Sequence, residues 1–267
     1  MQLLKLKTLI MAGFFLLLAA GAVFANEQSD YSYQYEKYSQ KYQEFINLKD
    51  AYLNYQTLSY KDQMNISLQS LLAQRAETQR TYFLLLRIKL RNNPGLTASE
   101  KSAYSNYLTE EIIYLENYKK KVVELKLPIV LDLSLLSKEF EAKSGEYTIK
   151  SYTILSYLLL GNMRDVQSDC VSINSLLDQE IGRYEGQQGD YYHSWVLEAK
   201  NTVLESQKLS EEAQTSIIEL SAKGKSEEAQ NVYKAIQGKI TDSKLAIDKA
   251  FSYQTELLAK MDKGVLQ

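Results

Sequence analysis

Asp190-Tyr191-Tyr192-His193-Ser194-Trp195 concentrates more chemistry than any other short stretch of this chain, and it holds the sole His and the sole Trp. Histidine can act as acid, base or metal ligand. Tyr and Trp faces can hold a cation, and a helix start can receive an anion. Tyr191, Tyr192, His193 and Trp195 are therefore the candidate ligand-binding residues. Nucleophilic catalysis does not fit them. His193 and Ser194 are adjacent, so on a helix they point about 100° apart and cannot pair as base and nucleophile. No GxSxG elbow supplies a distant Ser. The competing reading is an aromatic plug that closes one end of a helical bundle.

Tyrosine is the second candidate. The chain holds 21, and eight fall between Tyr31 and Tyr60. Tyr31, Tyr35, Tyr38 and Tyr42 lie on one helical face, with Tyr33 off that stripe. Tyrosine suits a seam where the ring is buried and the hydroxyl is wet. It is also enriched at protein interfaces and can stack on sugar rings. Tyr31, Tyr33, Tyr35, Tyr38 and Tyr42 are thus candidate partner-binding residues. Exposure of Tyr33 and Tyr55 beside other aromatics would favour binding over packing.

The remaining chemistry is sparse. One Cys and one His exclude an intrachain disulfide framework, Cys-rich zinc sites and HExxH sites. No metal and no cofactor is expected, and the chain does not read as an enzyme. Cys170 shares an apolar stripe with Val166 and Ile173 and reads as a small buried hydrophobe. The alternative is a disulfide between two copies, in a homo-oligomer. Glu110-Glu111 and Glu227-Glu228 are neighbours that do not face each other on a helix, so both read as solvated faces. Lys119-Lys120-Lys121 and Lys126 complement a helix C-terminus, with weak contact to anionic lipid or cell-wall polymer as the alternative. Asn65-Ile66-Ser67 matches a glycosylation sequon within a helical pattern.

The elements that carry these residues are long helices. Only two Pro interrupt the chain, and apolar residues recur at steps of three and four. Runs are expected from Tyr31 to about Leu58 and from Asp62 to Arg91, where Asn92-Asn93-Pro94-Gly95 stops the second. The third opens on the capping box Thr97-Ala98-Ser99-Glu100 and reaches about Lys126. Leu127-Pro128 breaks the chain again. A short helix from Leu131 to Lys143 follows, interrupted at Ser144-Gly145. A long run then spans Tyr152 to Tyr184, and Gly186-Gln187-Gln188-Gly189 reads as a loop. The fifth long run opens at Asp190, a good cap. The last opens at Ser226, with Glu227 and Glu228 suited to the dipole of its first turn. The fold class is all-α: an elongated antiparallel bundle of about six long helices in two three-helix units, 26–127 and 128–267.

Residues 1–25 read as a secretory signal peptide: Lys5 and Lys7, an apolar run, then Val23-Phe24-Ala25 as a small-x-small cleavage site. Uncleaved, residues 8–25 would instead form an N-terminal membrane anchor at the short limit for a span. Removing the segment makes a chain of net charge −2 more acidic, which argues against nucleic acid as a partner. An exported chain with one Cys suits a bacterial periplasm, cell surface or medium.

Leu220-Ser-Ala-Lys-Gly224-Lys-Ser-Glu-Glu-Ala229-Gln-Asn-Val-Tyr233-Lys-Ala-Ile236 resembles the helix turns of tetratricopeptide repeats. It also looks like the turn between long helices in extracytoplasmic four-helix-bundle sensor domains. Both resemblances imply helical hairpins, and the second implies a sensing module. The expected function is a non-enzymatic binding or scaffolding protein at the bacterial cell envelope, with protein or cell-wall glycan as partner. One alternative is an extracytoplasmic small-ligand sensor. Another is a membrane-active protein using Leu127–Leu136 and Ile154–Leu160.

Overall fold

The computed structural model describes residues 25–126, 130–184 and 186–264. Six helices account for nearly all of them: α1 Ala25–Tyr55, α2 Leu58–Asn92, α3 Ala98–Val123, α4 Val130–Ile181, α5 Gly186–Ser221 and α6 Ser226–Gly264. There is no strand among the described residues. The all-α bundle of long helices is thus as the periodicity demanded. Most of the expected signal peptide and the Leu127-Pro128 break lie outside the described residues.

Two boundaries differ from the sequence reading. The expected interruption at Ser144-Gly145 is absent, and α4 runs unbroken for 52 residues. A helical Gly costs about 1 kcal/mol relative to Ala. Burying an aromatic side chain gains about 1.5–3 kcal/mol, and Phe140, Tyr147 and Ile154 are all buried across the glycine. Packing therefore overrides propensity there. The expected loop at 186–189 is instead the first turn of α5. Gly186 has φ +66°, which only Gly adopts without strain. A Cβ on Gly189 would stand 2.6 Å from the Tyr184 carbonyl oxygen. These glycines let the chain turn sharply and start the next helix at once.

The chain forms two compact units, and the division falls inside α4, between Tyr147 and Thr148, whereas the sequence punctuation is at Pro128. In the first unit, α2 packs against both α1 and α3. The start of α4 joins them. The Tyr118 hydroxyl donates to the Leu136 carbonyl at 2.8 Å, and the Arg75 guanidinium lies 4.1 Å from the Phe140 ring centroid. Four helical segments build this unit, not the three expected. Its core comes from Leu72, Phe83, Leu86 and Leu90 of α2, Leu108, Leu115 and Tyr118 of α3, and Leu133, Phe140 and Tyr147 of α4.

The second unit comprises the rest of α4, α5, α6 and the loop 93–97. The Asn93 amide donates to the Leu158 carbonyl at 3.1 Å and to Asn162 Oδ1 at 2.8 Å. A Cβ on Gly161 would lie 2.3 Å from Asn93 Oδ1, so this mid-helix glycine admits the loop. Two apolar clusters fill the interior. One includes Leu160, Cys170, Ile217 and Ile236, the other Leu177, Ile181, Val196 and Met261. Among their neighbours sits a neutral polar layer, where Gln167 Nε2 donates to Ser206 Oγ at 2.7 Å and to Ser210 Oγ at 2.9 Å. Ile154 and Leu160, from one segment considered for membrane activity, are fully buried. No described helix is long and apolar enough to cross a membrane.

Candidate functional site

Helix α1 stands apart from the other five. None of its described side chains is buried. It meets α2 along its length through half-buried residues such as Tyr31, Tyr38, Phe45 and Tyr52, and the side-chain hydrogen bonds across the seam gather at Gln34. Gln74 Nε2 donates to Gln34 Oε1 at 2.8 Å, and the Thr78 hydroxyl donates to the Gln34 carbonyl at 3.0 Å. The Tyr31 ring lies 5.2 Å from Tyr82 of α2. Partial burial there raises the Tyr31 phenol above its ordinary range, with Tyr35 adding to the shift.

From this anchor the rings form a ladder. Tyr31–Tyr35, Tyr35–Tyr38 and Tyr38–Tyr42 centroids are 6.2, 6.5 and 6.3 Å apart. Tyr31 and Tyr38 are half-buried, whereas Tyr35 and Tyr42 are 57% and 48% exposed. Tyr33 lies off the ladder, 54% exposed, with the Lys37 ammonium 4.3 Å from its ring centroid. At the far end of the helix, Tyr55 is exposed and stacks on Tyr60 at 5.6 Å across the turn. Thr57 caps α2 there, accepting from the Tyr60 amide at 3.2 Å. The structure thus brings all five candidate partner-binding tyrosines to one exposed helix. Tyr55 is exposed beside another ring, Tyr60, whereas Tyr33 is exposed with a lysine as its near neighbour.

The cluster at the start of α5 divides instead. Tyr192 is buried in the core and meets Tyr184 edge-on at 5.1 Å. His193 is exposed, one step round the helix from Tyr192. Only Tyr191 and Trp195, one turn apart, share a face, with centroids 6.1 Å apart and planes at 62°. Tyr253 of α6 meets Trp195 at 5.8 Å and 84°. The Lys260 ammonium sits 4.8 Å from the Trp195 ring centroid and 5.0 Å from that of Tyr191. It donates to the Tyr191 hydroxyl at 2.5 Å. That hydrogen bond lowers the Tyr191 phenol and raises the Lys260 ammonium relative to their ordinary ranges. Tyr253, Glu256 and Lys260 belong to this site and escaped the sequence reading. Their spacing on α6 is the helical signal that could have found them.

A third constellation departs from the expectation of a solvated face, because Glu111 is buried. Lys143 Nζ donates to its two carboxylate oxygens at 2.7 and 2.8 Å, and the Tyr147 hydroxyl donates to Oε2 at 2.7 Å. The same ammonium lies 3.9 Å from the Tyr114 ring centroid. Burial and the bond to Glu111 push the Tyr147 phenol far up. The signal was present: Leu108, Glu111, Leu115, Tyr118 and Val122 follow steps of three and four, so Glu111 occupies a core position. With its oxygens bound in this way, the carboxylate is a structural ion pair rather than a free base.

The other candidates are quickly placed. Cys170 is fully buried, and burial pushes its thiol up to about 11, against a hydrogen bond from Gln254. It is closed to a partner chain in this fold. Asn65 is buried on α2, so the sequon is inaccessible. Lys119 pairs with Glu77 at 3.0 Å and Lys121 with Glu139 at 3.6 Å, so the lysine run is partly neutralised. Glu227 and Glu228 are solvated at the start of α6. The turn that carries the family resemblance joins helices of 36 and 39 residues. Among the described residues, no group of three or more His, Cys, Asp or Glu could hold a metal. Compared with protein-family models, curated proteins and solved structures, the chain matches none.

Proposed function

We propose that this chain is a non-enzymatic binding or scaffolding protein exported to the bacterial cell envelope, and that the tyrosine face of α1 is its working surface. One observation carries the reading: a helix with no buried side chain among those described holds a ladder of tyrosines in which Tyr35 and Tyr42 are exposed, with Tyr33 exposed beside it. Packing does not require Tyr33, Tyr35 and Tyr42 where they stand. Ser and Gln residues lie between them along the helix, as at Ser32, Ser39 and Gln40. Rigid amphipathic rings interleaved with small polar groups are also the composition of antibody paratopes. Residues 1–25 supply the export signal in this reading, and the acidic balance fits an envelope protein or glycan better than a nucleic acid.

The test is retention on envelope fractions, comparing the mature chain with a Tyr33→Ser/Tyr35→Ser/Tyr42→Ser variant. Each lost interface aromatic costs about 1–2 kcal/mol, so retention is expected to fall at least tenfold while helical circular dichroism is unchanged. Protease treatment of the envelope distinguishes a protein partner from a glycan. Equal retention of variant and parent would sink the proposal. N-terminal sequencing of the exported protein checks the address, with a start after Ala25 expected.

A further inference from the structure

The turn between α1 and α2 is a separate surface, at the opposite end of α1 from Tyr31. Gln56 and Thr57 alone join the two helices, and Gln56 adopts a left-handed φ of 48° to make so short a turn. Leu53, Tyr55 and Leu58 are 58%, 67% and 78% exposed, and Leu58 is the most exposed large hydrophobic residue among those described. Tyr52 and Tyr60 are half-buried beside them, and no described side chain from Glu27 to Met64 is buried. Residues 51–60 carry no charge, in a chain of which 24% is charged. Lys49-Asp50 and Lys61-Asp62 bound that stretch on either side. The Gln69 amide donates to the Val122 and Leu125 carbonyls at 2.7 and 3.0 Å, which marks where α3 ends against α2. The turn lies beyond that level by residues 58–68 of α2, about 16 Å at 1.5 Å per residue. The apolar groups therefore stand at the tip of a hairpin. An exposed apolar patch rimmed by polar residues marks a site of contact with protein or membrane.

We propose that this tip inserts into the interfacial layer of a lipid bilayer without crossing it. Leu53 precedes the turn and Leu58 follows it, so the apolar groups belong to both helices. A protein groove would need matching walls for such a convex tip, whereas a bilayer interface closes round it from every side. Tyrosine suits that layer, with its ring towards the acyl chains and its hydroxyl towards the head groups. Lys49 and Lys61 flank the tip at about one turn from Leu53 and Leu58, where their stems lie along apolar surface and their ammonium groups reach the phosphates. Asp50 and Asp62 cancel their charge, so attachment rests on apolar and aromatic insertion rather than on attraction to anionic lipid. Two leucines bury fewer carbons than one myristoyl chain, whose hold is itself reversible, so the attachment is reversible too.

The experiment is flotation of the mature chain with vesicles of phosphatidylethanolamine and phosphatidylglycerol in a three-to-one mixture. Removal of residues 1–25 keeps that apolar segment from binding lipid in its own right. Leu53→Ser/Leu58→Ser is expected to lower partitioning at least about tenfold, with helical circular dichroism unchanged because both side chains are exposed. Partitioning of the parent is expected to stay within about twofold when salt is raised enough to screen surface charge. Insertion is read separately, from a polarity-sensitive fluorophore on Asn54→Cys, since Cys170 is buried and does not compete for the label. Its emission is expected to shift to the blue with vesicles, and the same label on Asn201→Cys of α5 is expected not to shift. The proposal is overturned by absence of flotation, by equal flotation of parent and double-leucine variant, by loss of binding in salt, or by an unshifted label at residue 54. Retention on envelope fractions that needs both leucines, without flotation on pure lipid, would assign the tip to a protein partner and likewise overturn it. Tyr42 lies about 20 Å along α1 from Tyr55, so the triple Tyr→Ser variant is expected to float as the parent does. This test therefore stands or falls separately from the tyrosine face.

Discussion

The two units of the chain solve the same packing problem with different chemistry. The first unit relies on aromatic edges and charge. Phe83 meets Tyr147 at 5.1 Å and 90°, and Glu111 is neutralised in place by Lys143. The second relies on small and neutral groups. Ser206, Ser210 and Ser243 gather round the Gln167 amide, and Ala213, Ala229 and Ala250 are fully buried. Small residues let helices approach closely, and a neutral amide exacts a smaller desolvation cost than an ion pair. Tyrosine shows the same contrast. On α1, Tyr33, Tyr35 and Tyr42 stand exposed along a helix with one main neighbour, whereas Tyr192 is sealed in the second unit's core. Residue type does not decide the role of a ring. The number of helices packed around it does.

The charge contrast should give the largest effect. Lys143→Ala leaves the Glu111 carboxylate buried with only Tyr147 to satisfy it, and is expected to cost about 3–5 kcal/mol in urea denaturation. Gln167→Leu leaves three hydroxyls that still bond one another, since Ser206 and Ser243 oxygens are 2.7 Å apart. Its expected cost is about 1–2 kcal/mol. Equal losses for the two would erase the distinction between the interiors.

The tyrosine contrast comes next. Tyr192→Ala opens a cavity, and a loss of about 3 kcal/mol is expected. The combined Tyr33, Tyr35 and Tyr42 changes to Ser should stay within about 0.5 kcal/mol per site, as surface substitutions do. A large loss in the triple variant would show that α1 packs through those rings after all.

The smallest effect concerns acid. The hydrogen bond from Arg80 holds the Glu77 carboxyl below the ordinary range, against the opposing effect of burial. Its stabilisation is complete above the unfolded carboxylate pKa and is lost as pH falls through the folded one. In the second unit burial, and then Asp169, push Asp165 upward. Its penalty applies above the folded pKa and is relieved as pH falls through it. Between about pH 6 and 3, Glu77→Gln should therefore lessen the acid-induced loss of stability, and Asp165→Asn should deepen it. Melting temperatures of both variants across that range give the sign.

Much of the fold could be read from residue order. The three- and four-residue spacing required long helices, Asn93-Pro94-Gly95 required a turn, and Ser226 with its acidic followers marked a helix start. Cys170 was legible as core because its neighbours at three and four steps are apolar. Gly145 and Gly161 were not legible in the same way. Both sit in one uninterrupted helix, but one faces open space and the other receives the Asn93 loop. No local rule separates those roles. The cluster at Trp195 was half legible: Tyr191 and Trp195 stood out by type, but Tyr253 and Lys260 lie some sixty residues away along the chain.

Periodicity alone determined that this protein is a set of amphipathic helices with few breaks, because backbone hydrogen bonding and apolar burial both follow local spacing. Which face meets another helix was decided only by the tertiary structure. A tyrosine stripe, a carboxylate on a core register and a lysine near a helix end carry no mark of their partners. Those partners come from distant segments, and burial depends on how many of them arrive. The same residue types therefore became a half-exposed ladder on α1, a buried ion pair at Glu111 and an exposed ring–lysine contact at Trp195.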